Sequence, residues 1–357
     1  MTDTAPAGPL HVATGGDEGY VPGILVLAGS MWRHNPGARV TVLGMGLSAA
    51  STDLVRQLAL AVGGEVEILA VEETAFDGLV VKREHLSPAT FLRLEIPRLL
   101  PGCDRVIYLD SDMVVTGSLA PLWEMDLGDA LVAAVPDQLT HPTELRVLGL
   151  AAGEYANAGL LVMNLPLWRA EGIAETCRSH LADLNRLTVY ADQSAVNLVC
   201  RGRVVMLPAS WNFWSRHHRV YSLPEMASPP MVVHFIGGRK PWRYSGIPVE
   251  ALWLAEAEAL PVKLPPLQRV SLKKPRLHAL KRAENWLRQR VYAALGIGNY
   301  REQYLRTKVD TERLRQWEAR FILPHVAAIR ASNRAQPPTG QTPEADRQPR
   351  PASPAGI

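Results

Sequence analysis

Residues 105–114 read Arg-Val-Ile-Tyr-Leu-Asp-Ser-Asp-Met-Val, and this stretch decides the fold. Its apolar run, bounded by Gly102 and Gly117, predicts a short buried strand. Alternation along that strand places Asp110 and Asp112 on the same side of an extended chain, within reach of one divalent cation. Carboxylate oxygens suit Mg²⁺ or Mn²⁺, and open α/β sheets bind ligands at the carboxyl ends of their strands. Taken alone, the motif could equally be two polar residues that open a loop.

The chain on either side of this stretch alternates strand-like and helix-like segments. We predict further strands at residues 11–14, 38–43, 65–70, 130–135, 158–163, 204–207 and 231–235. We predict helices at residues 23–32, 53–62, 89–100, 170–184 and 192–200, with Ser87 and Asp192 as N-caps and Pro88 in a first turn. This alternation favours an α/β fold, a mostly parallel mixed sheet flanked by helices.

Bulk composition narrows the class of protein. The chain has 357 residues, 47% of them hydrophobic, which is typical of a soluble globular protein. Its net charge of +3 is too small to indicate binding to nucleic acid. Three widely spaced cysteines favour reduced thiols in a cytoplasmic protein. The sequence shows no signal peptide and no run of the roughly 20 apolar residues that span a bilayer. We therefore expect any membrane contact to be peripheral.

Composition also divides the chain into three parts. Residues 8–260 hold the alternating elements and form one predicted domain. Residues 261–332 form a predicted basic helical extension, since twelve Lys or Arg residues stand against two Glu between Lys263 and Lys308, and apolar residues recur at helical spacing. Residues 333–357 are rich in proline and polar residues. We predict that this tail is disordered, because it could not bury enough apolar surface to offset ordering entropy.

Three further motifs carry polar side chains that could serve a site. Asn157 precedes a predicted strand, and its amide suits a sugar hydroxyl, although a turn residue is the simpler interpretation. Asp192 and Gln193 open a predicted helix, where an N-cap role would explain Asp192 but not Gln193. His234 ends an apolar strand, as many core histidines do. A Gly-Gly pair and Lys240 follow it, and these suit a phosphate or, alternatively, form a turn with a solvated lysine.

Taken in order, these motifs resemble those of glycosyltransferase family 8, retaining enzymes that include bacterial lipopolysaccharide galactosyl- and glucosyltransferases and glycogenin. The resemblance covers residues 10–258 and rests on residues 89–100 with Arg93, 108–112, 122–123, 157–159, 192–193 and 234–242. It implies a GT-A-type nucleotide-diphospho-sugar transferase fold. It also implies a metal-dependent hexosyltransferase that moves glucose or galactose from a UDP-sugar to a glycan or lipid-linked acceptor, such as lipopolysaccharide or another cell-surface polysaccharide.

The resemblance also implies roles for individual residues. Asp110, Asp112 and His234 would hold Mn²⁺, with Mg²⁺ as the alternative, and the ion would grip the pyrophosphate. Asp192 would orient donor or acceptor, and Gln193 would lie near the reacting anomeric carbon. The donor-binding residues that it implies are Tyr20, Asp17, Arg93, Asp110, Ser111, Asp137, Asn157, Ala158, Gly237 and Lys240.

One segment departs from the family pattern. Relatives usually carry an acidic pair just after the first strand, which helps to bind uracil and ribose. In this chain the only available acidic pair, Asp17 and Glu18, is displaced along the loop that follows the predicted strand. Tyr20 matches an aromatic residue often found at this point. The predicted contacts to the nucleotide base therefore rest on a displaced pair.

Charge dictates the expected mechanism. A nucleoside diphosphate leaves, so negative charge builds on a phosphate oxygen, where the metal and Lys240 would stabilise it. The sugar passes through an oxocarbenium-like state. We expect same-face attack by the acceptor, whose proton goes to a leaving phosphate oxygen, because the neutral amide of Gln193 is a poor nucleophile. Double displacement with Asp192 as nucleophile stays open.

The extension and the function each leave alternatives open. The basic segment 263–308, which includes Trp286, predicts a peripheral anchor on an anionic membrane such as the inner face of the plasma membrane, or else a helical hairpin packed on the preceding domain. A sugar-nucleotide-binding protein without transferase activity is the non-enzymatic alternative. A haloacid dehalogenase-like phosphatase also uses Asp-x-Asp after an apolar strand, but normally after the first strand of the chain.

Overall fold

A mixed β-sheet forms the centre of the molecule, which a computed structural model describes for residues 8–76, 87–188, 190–215, 223–272, 286–287, 290–291, 294 and 312–335. In chain order the strands of this sheet and of two smaller ones are β1 (His11–Asp17), β2 (Arg39–Met45), β3 (Glu65–Ala70), β4 (Arg105–Leu109), β5 (Met113–Val115), β6 (Val132–Pro136), β7 (Ala156–Asn164), β8 (Val204–Met206), β9 (Phe213–Trp214), β10 (Val232–His234), β11 (Tyr244–Ser245) and β12 (Val270–Ser271). The large sheet has the order β3-β2-β1-β4-β7-β6-β8. Only β7 runs antiparallel to its neighbours, which confirms the predicted mostly parallel mixed sheet.

Helices cover both faces of the large sheet. In chain order they are α1 (Val21–His34), α2 (Ala49–Val62), α3 (Ile96–Leu99), α4 (Ala120–Trp123), α5 (Pro142–Leu148), α6 (Leu165–Ala170), α7 (Ile173–Leu187), α8 (Ala191–Val199), α9 (Leu223–Ala227), α10 (Glu250–Glu258) and α11 (Leu323–Ala335). Two cores result, because successive strand residues point to opposite faces. In β4, Val106 and Tyr108 pack with residues of α6 to α8, whereas Ile107 and Leu109 pack with residues of α1 and α2.

A three-stranded sheet of β5, β10 and β9 stands beside the large one and carries part of the site. Strand β10 pairs antiparallel with β5 and parallel with β9. Apolar residues behind this sheet form a third core, in which Phe213, Val233 and Phe235 pack with Trp253 of α10. The backbone on either side of His234 therefore lies on a well-packed support.

The described end of the predicted extension contributes to that third core. Trp317 stacks on Phe213 with ring centroids 4.2 Å apart, and Ile322, Val326 and Ile329 are buried in the same cluster. Residues 312–335 therefore pack on the domain that begins at residue 8. Most of residues 273–311 lie outside the described residues.

The predicted boundary of the disordered tail is wrong by a few residues. Helix α11 continues to Ala335, past the predicted start of the tail at residue 333. Asn333 donates to the backbone carbonyl of Glu258 at 3.0 Å, which extends the contact between α11 and α10. The remaining predicted tail, residues 336–357, lies outside the described residues.

The first strand is longer than predicted. It continues to Asp17 instead of ending at Thr14, because Gly15 and Gly16 continue the parallel pairing with β2. Glycine has a low strand propensity, so the sequence favoured an early end. The neighbouring strand overrides that local preference.

Two predicted helices also differ from the observed ones. The segment predicted as a helix at 89–100 is a 3-10 helix, Pro88–Glu95, followed by α3, and Ser87 makes no side-chain cap. Pro97 has no N–H for the α-helical pattern, which explains part of this irregularity. The helix predicted at 170–184 begins later, because Ala170 is the last residue of α6 and α7 starts at Ile173, after Gly172, whose φ of 61° is readily adopted only by glycine.

Trp317→Ala should destabilise the protein strongly, because it removes a buried ring that stacks on Phe213. We expect a loss of about 3–5 kcal/mol in the free energy of unfolding, measured by chemical denaturation. The matched control is Trp286→Ala, since Trp286 is 47% exposed and should contribute less than about 0.5 kcal/mol. Equal effects of the two substitutions would contradict the packing described here.

Candidate active site

Two carboxylates lie on the turn that joins the large sheet to the small one. Strand β4 ends just before Asp110, and β5 begins at Met113, whose backbone N–H donates to the Asp110 carbonyl at 3.2 Å. The expectation that Asp110 and Asp112 lie on one extended strand is therefore wrong. Backbone hydrogen bonds fix the turn on both sides. The Asp110 N–H donates to Gly159 in β7 at 2.8 Å, and the Asp112 carbonyl accepts from Phe235 at 2.9 Å.

A histidine forms a possible metal-binding cluster with these carboxylates. One ligand atom from each of Asp110, Asp112 and His234 lies within 4.8 Å of the other two. Nε2 of His234 is 3.1 Å from Asp112 Oδ1 and 3.9 Å from Asp110 Oδ2. Asp112 and His234 are buried, whereas 24% of the Asp110 side chain is exposed. Two carboxylates and one imidazole are suitable ligands for a divalent cation.

A buried lysine balances part of the negative charge. Lys240 Nζ contacts the Asp112 carboxylate and donates to the Phe235 carbonyl at 3.3 Å. Burial alone would raise the pKa of Asp112, but Lys240 and His234 outweigh it and hold that pKa well below its usual range. Asp112 is therefore ionised at neutral pH, as a metal ligand must be.

Arg93 joins the metal-binding cluster to the start of α8. Its guanidinium lies 3.1 Å from Asp110 Oδ1 and 3.5 Å from Asp192 Oδ2, and it donates to the Ala158 carbonyl. The Tyr108 hydroxyl donates to the same Asp110 oxygen at 2.8 Å. Burial disfavours a charged guanidinium, but Asp110 and the other acidic neighbours outweigh it and raise the pKa of Arg93. Arg93 thus holds two carboxylates in place as a permanent cation.

A chain of amide side chains runs from His234 along the cleft. Nδ1 of His234 lies 2.9 Å from Asn212 Oδ1, and Asn212 Nδ2 donates to Asn157 Oδ1 at 2.8 Å. Asn157 Nδ2 donates to Asp137 Oδ2 and to Gln193 Oε1, both at 3.2 Å. Gln193 Nε2 donates to the same Asp137 oxygen at 3.0 Å. These five side chains form one continuous hydrogen-bond network.

A backbone amide fixes the orientation of this network. The Gly159 N–H donates to Asn157 Oδ1 at 3.1 Å, so the oxygen of Asn157, and not its NH₂ group, faces Asn212. Asn212 must therefore turn its NH₂ group toward Asn157 and its oxygen toward His234. An oxygen accepts only from a nitrogen that carries a proton. Nδ1 of His234 thus holds a hydrogen, and Nε2, which faces Asp110 and Asp112, is the ring nitrogen that can bind a metal.

Gly159 leaves the space that the cluster needs. A Cβ atom at this position would lie 2.9 Å from Asp110 Oδ2 and 2.7 Å from His234 Cε1, closer than real contacts allow. The glycine, the ionised carboxylate of Asp112 and the position of Nε2 beside both carboxylates all fit a divalent cation held by Asp110, Asp112 and His234.

The cluster lies between two hollows that share part of their lining. We call the first one, of about 180 Å³, the Gln193 hollow. Six predicted site residues line this hollow and not the second one: Asp137, Asn157, Asp192, Gln193, His234 and Gly237. The second, of about 80 Å³, we call the Tyr20 hollow; its own lining includes Gly15, Gly16, Tyr20 and Ser111. Both hollows are lined by Arg93, Asp110, Asp112 and Lys240. Nearly all predicted site residues thus meet at one cleft.

Asp17 lies at the end of β1, beside this cleft. Asp17 is the last residue of β1, paired with Met45, and Glu18 follows directly, so the acidic pair lies at the end of the strand and the expectation of a displaced pair is wrong. The Asp17 carboxylate accepts from the Gly19 N–H at 2.9 Å. It lines a third hollow, of about 610 Å³, which shares Ser87 with the Tyr20 hollow. Glu18 instead accepts from the Ser51 hydroxyl at 2.7 Å, at the start of α2.

Asp192 does not cap its helix, so that prediction is wrong. Helix α8 begins at Ala191, and no side chain caps it. The Asp192 carboxylate instead accepts from the Thr90 hydroxyl at 2.9 Å and lies beside Arg93. It therefore faces the cleft.

Sequence reasoning missed Asn212 and Thr90. Asn212 lies in the run Ser-Trp-Asn-Phe-Trp, and one amide among aromatic residues is a signal that could have pointed to it. Thr90 gave no comparable signal, because its partner Asp192 is 102 residues away along the chain.

Residues 11–246 match the family model described as glycosyl transferase family 8. The chain therefore belongs to this family and is a retaining glycosyltransferase with the GT-A-type fold. The phosphatase alternative is wrong, since the family differs and three strands precede β4 in the chain. Among the described residues, no helix is both long and apolar enough to cross a bilayer.

Individual relatives give the family assignment more detail. Glycosyltransferase GlyE of Streptococcus pneumoniae serotype 4 is 28% identical over 245 residues, which cover 65% of this chain and 56% of GlyE. The lipopolysaccharide 1,2-glucosyltransferase of Escherichia coli K12 is 26% identical over 170 residues, 44% of this chain and 49% of the relative. The galactosyltransferase LgtC, solved with donor and acceptor sugar analogs, has a TM-score of 0.65 at 28% identity, covering 72% of this chain and 98% of LgtC.

Asn212→Ala should weaken metal binding without touching a metal ligand. It removes the acceptor that holds the proton on Nδ1 of His234, so we expect about 10- to 100-fold lower affinity for Mn²⁺. The free ion can be followed by electron paramagnetic resonance. Asn333→Ala, an exposed site on α11, is the control. Unchanged Mn²⁺ affinity in Asn212→Ala would contradict the proposed orientation of His234.

Proposed function

We propose that this protein transfers glucose or galactose from a UDP-sugar to a glycan or lipid-linked acceptor, with Mn²⁺ bound by Asp110, Asp112 and His234. The observation that carries this proposal is the order of parts along the cleft: an aromatic hollow, the carboxylate cluster with its lysine, and a hollow rich in amides. A nucleoside diphosphate sugar has the same order, with base and ribose, then diphosphate, then sugar.

The diphosphate would lie at the cluster. A metal bound there would act as a Lewis acid that offsets the charge of the leaving group. Lys240, which borders both hollows, would neutralise the phosphate oxygen as the bond to the sugar breaks. A Cβ atom at Gly16 would lie 2.9 Å from Tyr20 Cβ and 3.6 Å from Ser111 Oγ, so this glycine leaves the Tyr20 hollow open to the ribose and base.

The sugar would lie in the Gln193 hollow. The Asp137 carboxylate accepts from Asn157 and Gln193 and so holds both amides in the lining, and its remaining lone pair suits a sugar hydroxyl. The neutral Gln193 amide would not attack the anomeric carbon. An acceptor hydroxyl would attack from the face of the leaving group and give its proton to a leaving phosphate oxygen. Asp192 is the alternative nucleophile.

A lipid-linked acceptor would bring the protein to a membrane surface. We include in the proposal a peripheral contact through residues 263–308, which would place the enzyme at the cytoplasmic face. Its support among the described residues is the exposure of Trp286 and Leu287, 47% and 57%, with the guanidinium of Arg290 at 4.6 Å from the Trp286 ring centroid. Sedimentation with anionic and with neutral vesicles tests this contact.

Calorimetric binding in the presence of Mn²⁺ tests the choice of donor. We expect UDP, UDP-glucose or UDP-galactose to bind at least about tenfold more tightly than GDP, a difference of about 1.4 kcal/mol. Asp17→Ala should reduce binding of UDP, while Asp53→Ala, an exposed substitution on α2, should not. Equal binding of GDP and UDP would overturn the assignment of a uridine nucleotide.

A further inference from the structure

Three metal-ligating side chains meet away from the cleft, between three helices. His34 ends α1, Glu256 lies in α10 and His325 lies in α11. Each offers one ligand atom, and the three atoms lie within 4.8 Å of one another. Nε2 of His325 is 3.6 Å from Glu256 Oε1, and the two imidazole rings stack with centroids 5.2 Å apart. We call this group the interhelical cluster.

Three buried polar atoms of the interhelical cluster, one from each residue, have no hydrogen-bond partner among the described residues. Glu256 is fully buried, and only its Oε2 is paired, with Arg33 Nε at 3.2 Å. Oε1 of Glu256, Nε2 of His34 and Nε2 of His325 are buried without a hydrogen bond. An unsatisfied buried polar atom costs about 1–3 kcal/mol, so three at one point call for a common partner.

A proton shared between these residues would leave one of them unsatisfied. An ion pair of protonated His325 with Glu256 would account for two of the three atoms and leave His34 alone. One ligand nitrogen of His34 lies within 4.8 Å of the ligand atoms of Glu256 and His325. A cation that accepts an electron pair from each of these atoms would satisfy all three together.

We propose that His34, Glu256 and His325 bind one Zn²⁺ ion. Two imidazoles and one carboxylate form a donor set typical of zinc, with a water molecule as fourth ligand. Ligand atoms on a tetrahedral zinc ion lie about 3.3 Å apart, given bonds of about 2.0–2.1 Å. The spacing within the interhelical cluster therefore needs only a small closure of its side chains.

The ion would link helix α11 to the two helices that it packs against. His325 in α11 would be joined to α1 and α10, whose residues share one hydrophobic core with α11 and with Val233 of β10. Binding of zinc would thus stabilise the whole protein, because a ligand that binds only the folded state raises its stability. The metal-binding cluster of Asp110, Asp112 and His234 has two carboxylates and would keep its preference for a cation that binds oxygen ligands, such as Mn²⁺.

Zinc binding by untagged, full-length protein tests the proposal. Asp112→Asn is the background, because it weakens the donor site, and dialysis against a competing chelator gives the number of zinc ions retained. We expect one Zn²⁺ per chain in this background and at least about 100-fold weaker binding after His325→Ala. His180→Ala, an exposed histidine on α7, is the matched control and should keep the ion.

A second variant and a second measurement guard against loss of fold. His34→Gln keeps a similar size and should also lose the ion, with the fold checked by circular dichroism. Zinc should raise the melting temperature of the Asp112→Asn protein by a few degrees, but not that of either histidine variant. Absence of retained zinc in the Asp112→Asn protein, or zinc retained unchanged by folded His325→Ala and His34→Gln proteins, would overturn the proposal.

Discussion

Asp112→Asn is expected to lower kcat for sugar transfer by about 1000-fold or more, which corresponds to about 4 kcal/mol of transition-state stabilisation. The substitution keeps the size of the side chain but removes the charge that His234 and Lys240 surround. The metal would lose one of its two carboxylates, so the affinity for Mn²⁺ should fall as well. Steady-state kinetics over a range of Mn²⁺ concentrations measures both effects.

The control for this substitution is Asp104→Asn, an exposed carboxylate next to β4. It changes the net charge by the same amount near the same strand, and its kinetics should match those of the unaltered protein. If Asp112→Asn kept most of its kcat at saturating Mn²⁺, Asp112 would not be a metal ligand in the reaction.

Lys240→Met is expected to lower kcat by about 100- to 1000-fold. The substitution keeps the unbranched apolar stem and removes the ammonium group that would meet the leaving phosphate. The same ammonium contacts Asp112, so its loss frees that carboxylate, and Mn²⁺ binding should be retained. Low kcat with retained Mn²⁺ binding would distinguish a role in charge stabilisation from a role in building the metal site.

Arg239→Met is the matched control for Lys240→Met. Arg239 is the preceding residue and is exposed, whereas Lys240 is buried. Both substitutions remove one positive charge from the same turn. Equal losses of kcat in the two variants would mean that the general positive potential of this turn matters, and the specific position of Lys240 does not.

The fold class could be predicted because most strands and helices have a recognisable local sequence pattern. Apolar runs of strand length, such as the one that ends before Asp110, alternate with amphipathic helices, and this pattern alone favours a parallel sheet. The ends of elements were harder. Gly15 and Gly16 are poor strand residues by themselves, and their pairing with β2 is a tertiary effect that sequence does not display.

The polar residues of the site were also found from the sequence, mostly through the family resemblance. The roles of their neighbours were not. Asp192 was expected at a helix cap, since the residue type suits one, but Thr90 and Arg93 bind its carboxylate from a distant segment. Local patterns report which side chains are available, whereas hydrogen-bond partners depend on how the sheets bring segments together.

The amide network shows the same limit. Asn212 connects His234 to Asn157, and the three residues lie on different segments of the chain. The orientation of each amide follows from the backbone N–H of Gly159, which becomes visible only when β7 is placed beside the cluster. Such a chain of partners has no periodicity along the sequence, so pattern analysis could not predict it.

Release of UDP from UDP-glucose and UDP-galactose tests the central claim most directly. The unaltered protein should release UDP from one of these donors when Mn²⁺ is present, because water can replace the acceptor. EDTA should stop the release, and added Mn²⁺ should restore it. Release that continues in EDTA, or no release from any UDP-sugar with Mn²⁺ and a glycan acceptor present, would contradict the assignment of a metal-dependent UDP-sugar transferase.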